Sequence, residues 1–162
     1  RYWRDWSSDV CSSDLPAVES AAELADARAV LAEEIASAAF LARGAPAWFA
    51  TSAGRAVAVK LAPKSAIAKG AKGDVAGRLA RMRQPSSVVD GTASAADTAA
   101  LGGAFVAATS GGGARYRALA ARLDEGVPFD EAFGAVFKAS APKLFEAWLG
   151  KEGKPRAGGA GR

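Results

Sequence analysis

The sequence predicts an all-α domain, an irregular bundle of six or seven helices with no significant sheet. Three observations carry that expectation. Apolar residues recur at spacings of three, four and seven along most of the chain, which is the period of one helix face. Glycine and proline fall between these periodic stretches, where helices stop and restart. The one β-like run, Val57-Ala58-Val59, is short and lies inside a helical pattern.

The elements follow in order. Residues 18–42 read as a long helix whose buried face carries Leu24, Leu31, Ile35 and Ala38. Glu19, Glu23 and Asp26 sit early, where the helix dipole favours negative charge, and Arg43 sits at the end. Gly44 is the expected stop and Pro46 the restart. A second helix spans 47–61, with Trp48, Phe49, Ala53, Ala56, Val57 and Leu61 turned inward, and Pro63 ends it. Residues 62–72 carry lysines and glycine and read as a loop. A short helix over 74–83 (Val75, Leu79, Met82) is closed by Pro85. Thr92 or Ser94 can cap a helix over 95–109 with Leu101, Phe105 and Val106 apolar. Gly102 and Gly103 each cost that helix about 1 kcal/mol against alanine, so their expected use is a close approach to another helix. Gly111-Gly112-Gly113 is a break. Tyr116, Leu119, Ala120 and Leu123 mark a helix ended by Gly126, and Phe129, Phe133, Val136 and Phe137 mark another over 129–138. Ser140 caps the last, in which Leu144, Phe145, Trp148 and Leu149 face the core.

Composition narrows the function. The 162 residues are one domain's worth of chain. Half are hydrophobic, but 42 are alanine and only 31 are Leu, Ile, Val or Phe. That is close to the fraction below which chains stay disordered. A net charge of +4 is too small to push the chain open, so a thin-cored helical domain is expected. Histidine is absent, which excludes Ser-His-Asp triads, Cys-His pairs and histidine-ligated zinc. One cysteine excludes an internal disulfide and a four-cysteine metal cage. No run of about 18 apolar residues is present to span a membrane.

Residues 1–15 are expected to be a non-native arm. Asp5-Trp6-Ser7-Ser8-Asp9-Val10-Cys11-Ser12-Ser13-Asp14-Leu15 is, residue for residue, one reading frame of a common sequencing-library adapter. Segments of this kind are set aside before fold reasoning. Cys11, Trp3 and Trp6 then carry no meaning, and residues 16–149 are expected to be a helical domain from a longer protein. Residues 150–162 read as a disordered basic tail.

Positive charge is concentrated in one stretch. Residues 55–83 hold Arg55, Lys60, Lys64, Lys69, Lys72, Arg78, Arg81 and Arg83 against the single acid Asp74. Such a stretch can form an anion-binding surface for nucleic acid or an anionic envelope. No aromatic residues interleave with it to stack on bases, and a solvated face explains it more simply. Gly111-Gly112-Gly113 lacks the preceding strand and following Lys-Ser/Thr of a phosphate loop.

Several short elements resemble a known family. Tyr116-x-x-Leu119, Leu123, Gly126, Phe129-Asp130-Glu131-Ala132-Phe133 and Leu144-x-x-x-Trp148 are similar to the C-terminal half of bacterial peptidase-MA-like proteins, relatives of the gluzincin zinc metallopeptidases. Pro46-Ala47-Trp48-Phe49 resembles the start of that family's second active-site helix, and Leu31-Ala32-Glu33-Glu34-Ile35-Ala36-Ser37 occupies the place of its zinc-binding helix. In such enzymes His-Glu-x-x-His places two imidazoles one turn apart on zinc, the Glu acts as base on the metal-bound water, and a Glu from the next helix is the third ligand. Here Glu34 stands at the base position. Glu33 and Ser37 stand at the two histidine positions, and Thr51 at that of the ligand Glu. A carboxylate and a hydroxyl are a poor zinc pair.

The resemblance therefore implies an inherited fold with a lost activity: no metal, no cofactor, and a non-catalytic binding or structural module. It also implies export or a cell-envelope location. The expected working surface is a groove between the first two helices, taking protein or peptide. The alternative is a basic helical module binding nucleic acid or an anionic envelope surface.

Overall fold

A computed structural model describes residues 20–73 and 75–152, with only the backbone of Lys72 and Gly73. The adapter-like arm and residues 153–162 lie outside the described residues. Among those described, all regular structure is helical: α1 (Ala21–Ala42), α2 (Ala47–Leu61), α3 (Ala66–Gly73), α4 (Val75–Arg81), a 3-10 turn (Pro85–Val88), α5 (Ala95–Asp97), α6 (Gly103–Thr109), α7 (Ala114–Asp124), α8 (Phe129–Phe137) and α9 (Ala141–Glu152). A π-helical turn over Thr98–Gly102 joins α5 to α6, so the two run on as one rod. The fold is all-α.

Local chemistry sets most boundaries. Ser20 caps α1 through a reciprocal box: its hydroxyl accepts from the Glu23 N–H at 3.2 Å, and the Glu23 carboxylate accepts from the Ser20 N–H at 2.9 Å. Gly44, at φ +78°, reverses the chain into α2. Ser94 caps α5, with its hydroxyl accepting from the Asp97 N–H. Gly126, at φ +80°, turns α7 into α8. α9 runs three residues past Leu149, where the sequence suggests a tail.

Two expectations are corrected. Residues 62–72 are not a loop, because α3 occupies most of them. The Ser65 hydroxyl accepts from the Ala68 N–H, and Asp26 on α1 accepts from the Ala66 N–H at 2.6 Å, so two of the helix's first donors are satisfied. Ala68 is fully buried, and Ile67 packs beside Ala29, Ala58 and Ala62.

The second correction concerns α1. Leu24, Leu31 and Ile35 do not face the core; they are 41%, 61% and 67% exposed, and Ala38 is exposed with them. Leu61 at the end of α2 is exposed too. The face that packs on α2 is made of small residues, with Ala29 at its fully buried centre. Close approach explains the choice. A methyl group placed on Gly54 of α2 would lie 2.5 Å from the Glu33 carbonyl oxygen and closer still to the Ser37 hydroxyl. The α1 backbone therefore lies against the α2 backbone, where a leucine cannot fit.

The same device works on the other side of α2. A methyl group on Gly102 would lie 2.9 Å from Ser52 Cβ, and one on Gly103 would lie 2.7 Å from Arg55 Cγ. Ser52 is fully buried, and its hydroxyl donates to the Trp48 carbonyl at 2.6 Å. α2 is thus flanked at close range by α1 and by the α5–α6 rod. The large side chains pack beyond these seams. Phe49 is fully buried against the rings of Phe40, Tyr116, Phe129 and Phe133, and Phe105 packs edge-on against Phe145 and tilted against Trp148 to hold α9.

Urea unfolding checks this packing. Leu31→Gln and Ile35→Gln should each change stability by less than about 0.5 kcal/mol, as surface substitutions do. Phe49→Ala should cost about 3–5 kcal/mol. Gly54→Ala and Gly102→Ala should cost about 1–3 kcal/mol by overpacking. Gly134→Ala, with nothing within 4 Å of the new methyl, should instead stabilise by about 0.5–1 kcal/mol.

Candidate functional site

Of the sequence-predicted motif residues, Glu33 and Ser37 lie on the α1–α2 seam, which forms no cleft around them. Glu33 accepts from Arg55 at 3.0 Å through Nε and lies 2.9 Å from its Nη2, both on the same carboxylate oxygen. Ser37 donates to the Ala50 carbonyl at 3.2 Å. The close contact at Gly54 fills the space between them. Glu34 points away from this seam and is exposed. Thr51 lines a separate hollow with Trp48, Asp90 and Thr98. The four positions do not converge on one point, and the expected groove between the first two helices is closed along its middle. At the open end of that seam a shallow pocket remains among Leu24, Arg28, Leu61 and Lys64.

The basic stretch is divided rather than continuous. Arg55 is paired with Glu33, and Arg78 with Asp97 at 2.9 Å. These two arginines line one hollow with Ile67 and Val75. Lys60 and Lys64 line two other pockets. Lys69, Arg81 and Arg83 are exposed, and the side chain of Lys72 lies outside the described residues. The Ser94 hydroxyl donates to Asp97 at 2.7 Å. That bond, with the Arg78 guanidinium beside it, holds the Asp97 carboxyl below its usual value.

The feature that sequence reasoning missed is an apolar cavity of about 560 Å³. Phe40 of α1, Ala56 and Val57 of α2, Val106 of α6, and Tyr116 and Ala120 of α7 wall it. Gly112 and Gly113 close one side with backbone alone. Glycine is needed there, because Gly111, Gly112 and Gly113 all have positive φ (52°, 72° and 92°). The helical periodicity of Ala53, Ala56, Val57, Val106, Tyr116 and Ala120 marks these residues in the sequence as apolar-face positions, but not as neighbours of one another. The cavity's four walls come from residues up to 80 positions apart, and no local signal joins them.

A short hydrogen-bond chain runs along its wall. The Thr109 hydroxyl donates to the Phe105 carbonyl at 2.8 Å, so it accepts from the Tyr116 hydroxyl, also at 2.8 Å. Burial pushes the Tyr116 phenol up to about 12, with Arg115 opposing the shift. The Ser110 hydroxyl donates to the Ala107 carbonyl at 3.0 Å.

Comparison with protein-family models, curated proteins and solved structures finds no match. Among the described residues, no group of three or more His, Cys, Asp or Glu is placed to hold a metal ion, and no helix is long and apolar enough to cross a membrane.

The Tyr116 phenol gives a pH signature. Its folded-state value lies above the unfolded value of 10, so the unfolded chain loses this proton first as pH rises. Its contribution to stability is whole below pH 10 and is lost as pH climbs toward about 12. Absorbance titration should show a late tyrosinate step near pH 12 that disappears in Tyr116→Phe. A step of unchanged position in that variant would refute the assignment.

Proposed function

We propose that this domain is a non-catalytic binding module and that its working surface is the cavity between α1, α2, α6 and α7. The cavity itself carries the reading. Its volume falls within the range of about 300–1,000 Å³ common to small-molecule sites, and its walls are largely carbon, as such sites are. Support for the non-catalytic half comes from the seam: the Glu33 carboxylate is tied to Arg55, the Ser37 proton to Ala50, and backbone contact fills the space between them. These are bonds of a packed interface. A peptidase-MA-like ancestry accords with this reading and is not required by it. The groove first expected between α1 and α2 is replaced, as the binding surface, by the cavity that these two helices wall together with α6 and α7.

A neutral apolar dye such as Nile red tests the proposal. Saturable binding at one site per chain is expected, and Ala56→Trp, which places an indole in the cavity, should abolish it. Undiminished binding in that variant would overturn the choice of surface. Peptidase activity removed by a chelator would overturn the non-catalytic half. A salt-sensitive complex with DNA would favour the basic-module alternative.

A further inference from the structure

The cavity's polar groups are not distributed at random. Its charged lining residues are Lys60, on the last turns of α2, and Arg117, on the first turn of α7; both are cations. No carboxylate lines it. Both cations are exposed, so their charged heads remain hydrated at the mouth while their stems lie along the wall. Neither has an ion-pair partner among the described residues, in contrast to Arg43, Arg55 and Arg78.

The hydroxyls on the wall have the opposite character. Tyr116 gives its proton to Thr109, and Ser110 gives its proton to Ala107. Neither proton is left for a polar ligand in the interior. A molecule rich in hydrogen-bond acceptors would leave those groups unpaired there. A hydrocarbon chain loses nothing. The mouth therefore selects negative charge and the interior selects carbon.

We infer that the cavity takes an apolar-tailed carboxylate, a free fatty acid in chemical class, with its tail against Phe40, Val57, Val106 and Tyr116 and its head between Lys60 and Arg117. This rests on the reading of the cavity as the binding surface and adds the ligand's chemistry. The carboxylate meets two cations from different helices at the water boundary. The attraction is electrostatic and screened by salt.

The test compares three ligands of equal tail length, decanoate, decanol and decyltrimethylammonium, by calorimetric titration of the full chain below their micelle-forming concentrations. Decanoate should bind at least tenfold more tightly than decanol, and decyltrimethylammonium most weakly. Lys60→Ala with Arg117→Ala should erase the preference for decanoate over decanol. Both positions are exposed, so circular dichroism should show intact helix in the double variant. Raised salt should narrow the gap between decanoate and decanol. Equal binding of those two, or a preference that survives the double substitution, overturns the ligand class and leaves the cavity reading standing. Failure of all three ligands and of Nile red to bind overturns both.

Discussion

The burial of the Phe49 ring is the constraint on which the bundle depends. It is fully buried on α2, and rings from three other helices surround it: Phe40 of α1 at 5.2 Å, Tyr116 of α7 at 5.7 Å, and Phe129 of α8 at 5.0 Å. Ring pairs of this kind add about 0.5–1.5 kcal/mol each beyond the area they bury. In a chain with few large apolar residues, that concentration matters more than it would in a leucine-rich domain. Fixing Phe49 fixes the start of α2, and the two glycine seams then fix how closely α1 and the α5–α6 rod can lie against it.

The cavity follows from the same arrangement. Ser52 meets Gly102, and Arg55 meets Gly103, with no space between the helices. Beside these contacts on α2 is Ala53, and further along each helix come Ala56 and Val57 on α2 and Val106 and Ala107 on α6. Alanine is too short to fill the interval there. The Tyr116 side chain reaches only to Thr109, where its hydroxyl is held. Tight contact at the glycines and a void beyond them are two outcomes of one substitution pattern, small residues on facing helices.

How far the sequence revealed this depends on how local the cause is. Gly44, Pro46, Pro63, Ser94 and Gly126 act through their own backbone or their nearest neighbours, and the helix ends stand where those residues place them. The close-approach role of Gly102 and Gly103 was also readable, because glycine inside a helix is costly without a contact to justify it. The buried face of α1 was not. Leu24, Leu31 and Ile35 keep helical period, yet period cannot say whether the large or the small face meets a neighbour, and here backbone proximity selects alanine. α3 was hidden by its lysines and glycines, since its start depends on Asp26, forty residues away. The motif positions Glu33, Ser37 and Thr51 could be aligned by spacing, but only packing shows that Glu33 is held by an arginine from the next helix.

The alanine seam also sets the thermal character of the molecule. Among the described residues, ten of the twenty-four buried apolar side chains are alanine, each withdrawing little hydrocarbon from water. The heat-capacity increment of unfolding scales with the hydrocarbon newly hydrated. A domain joined so largely through methyl groups and peptide planes therefore has a shallow stability curve, with modest curvature between cold and heat.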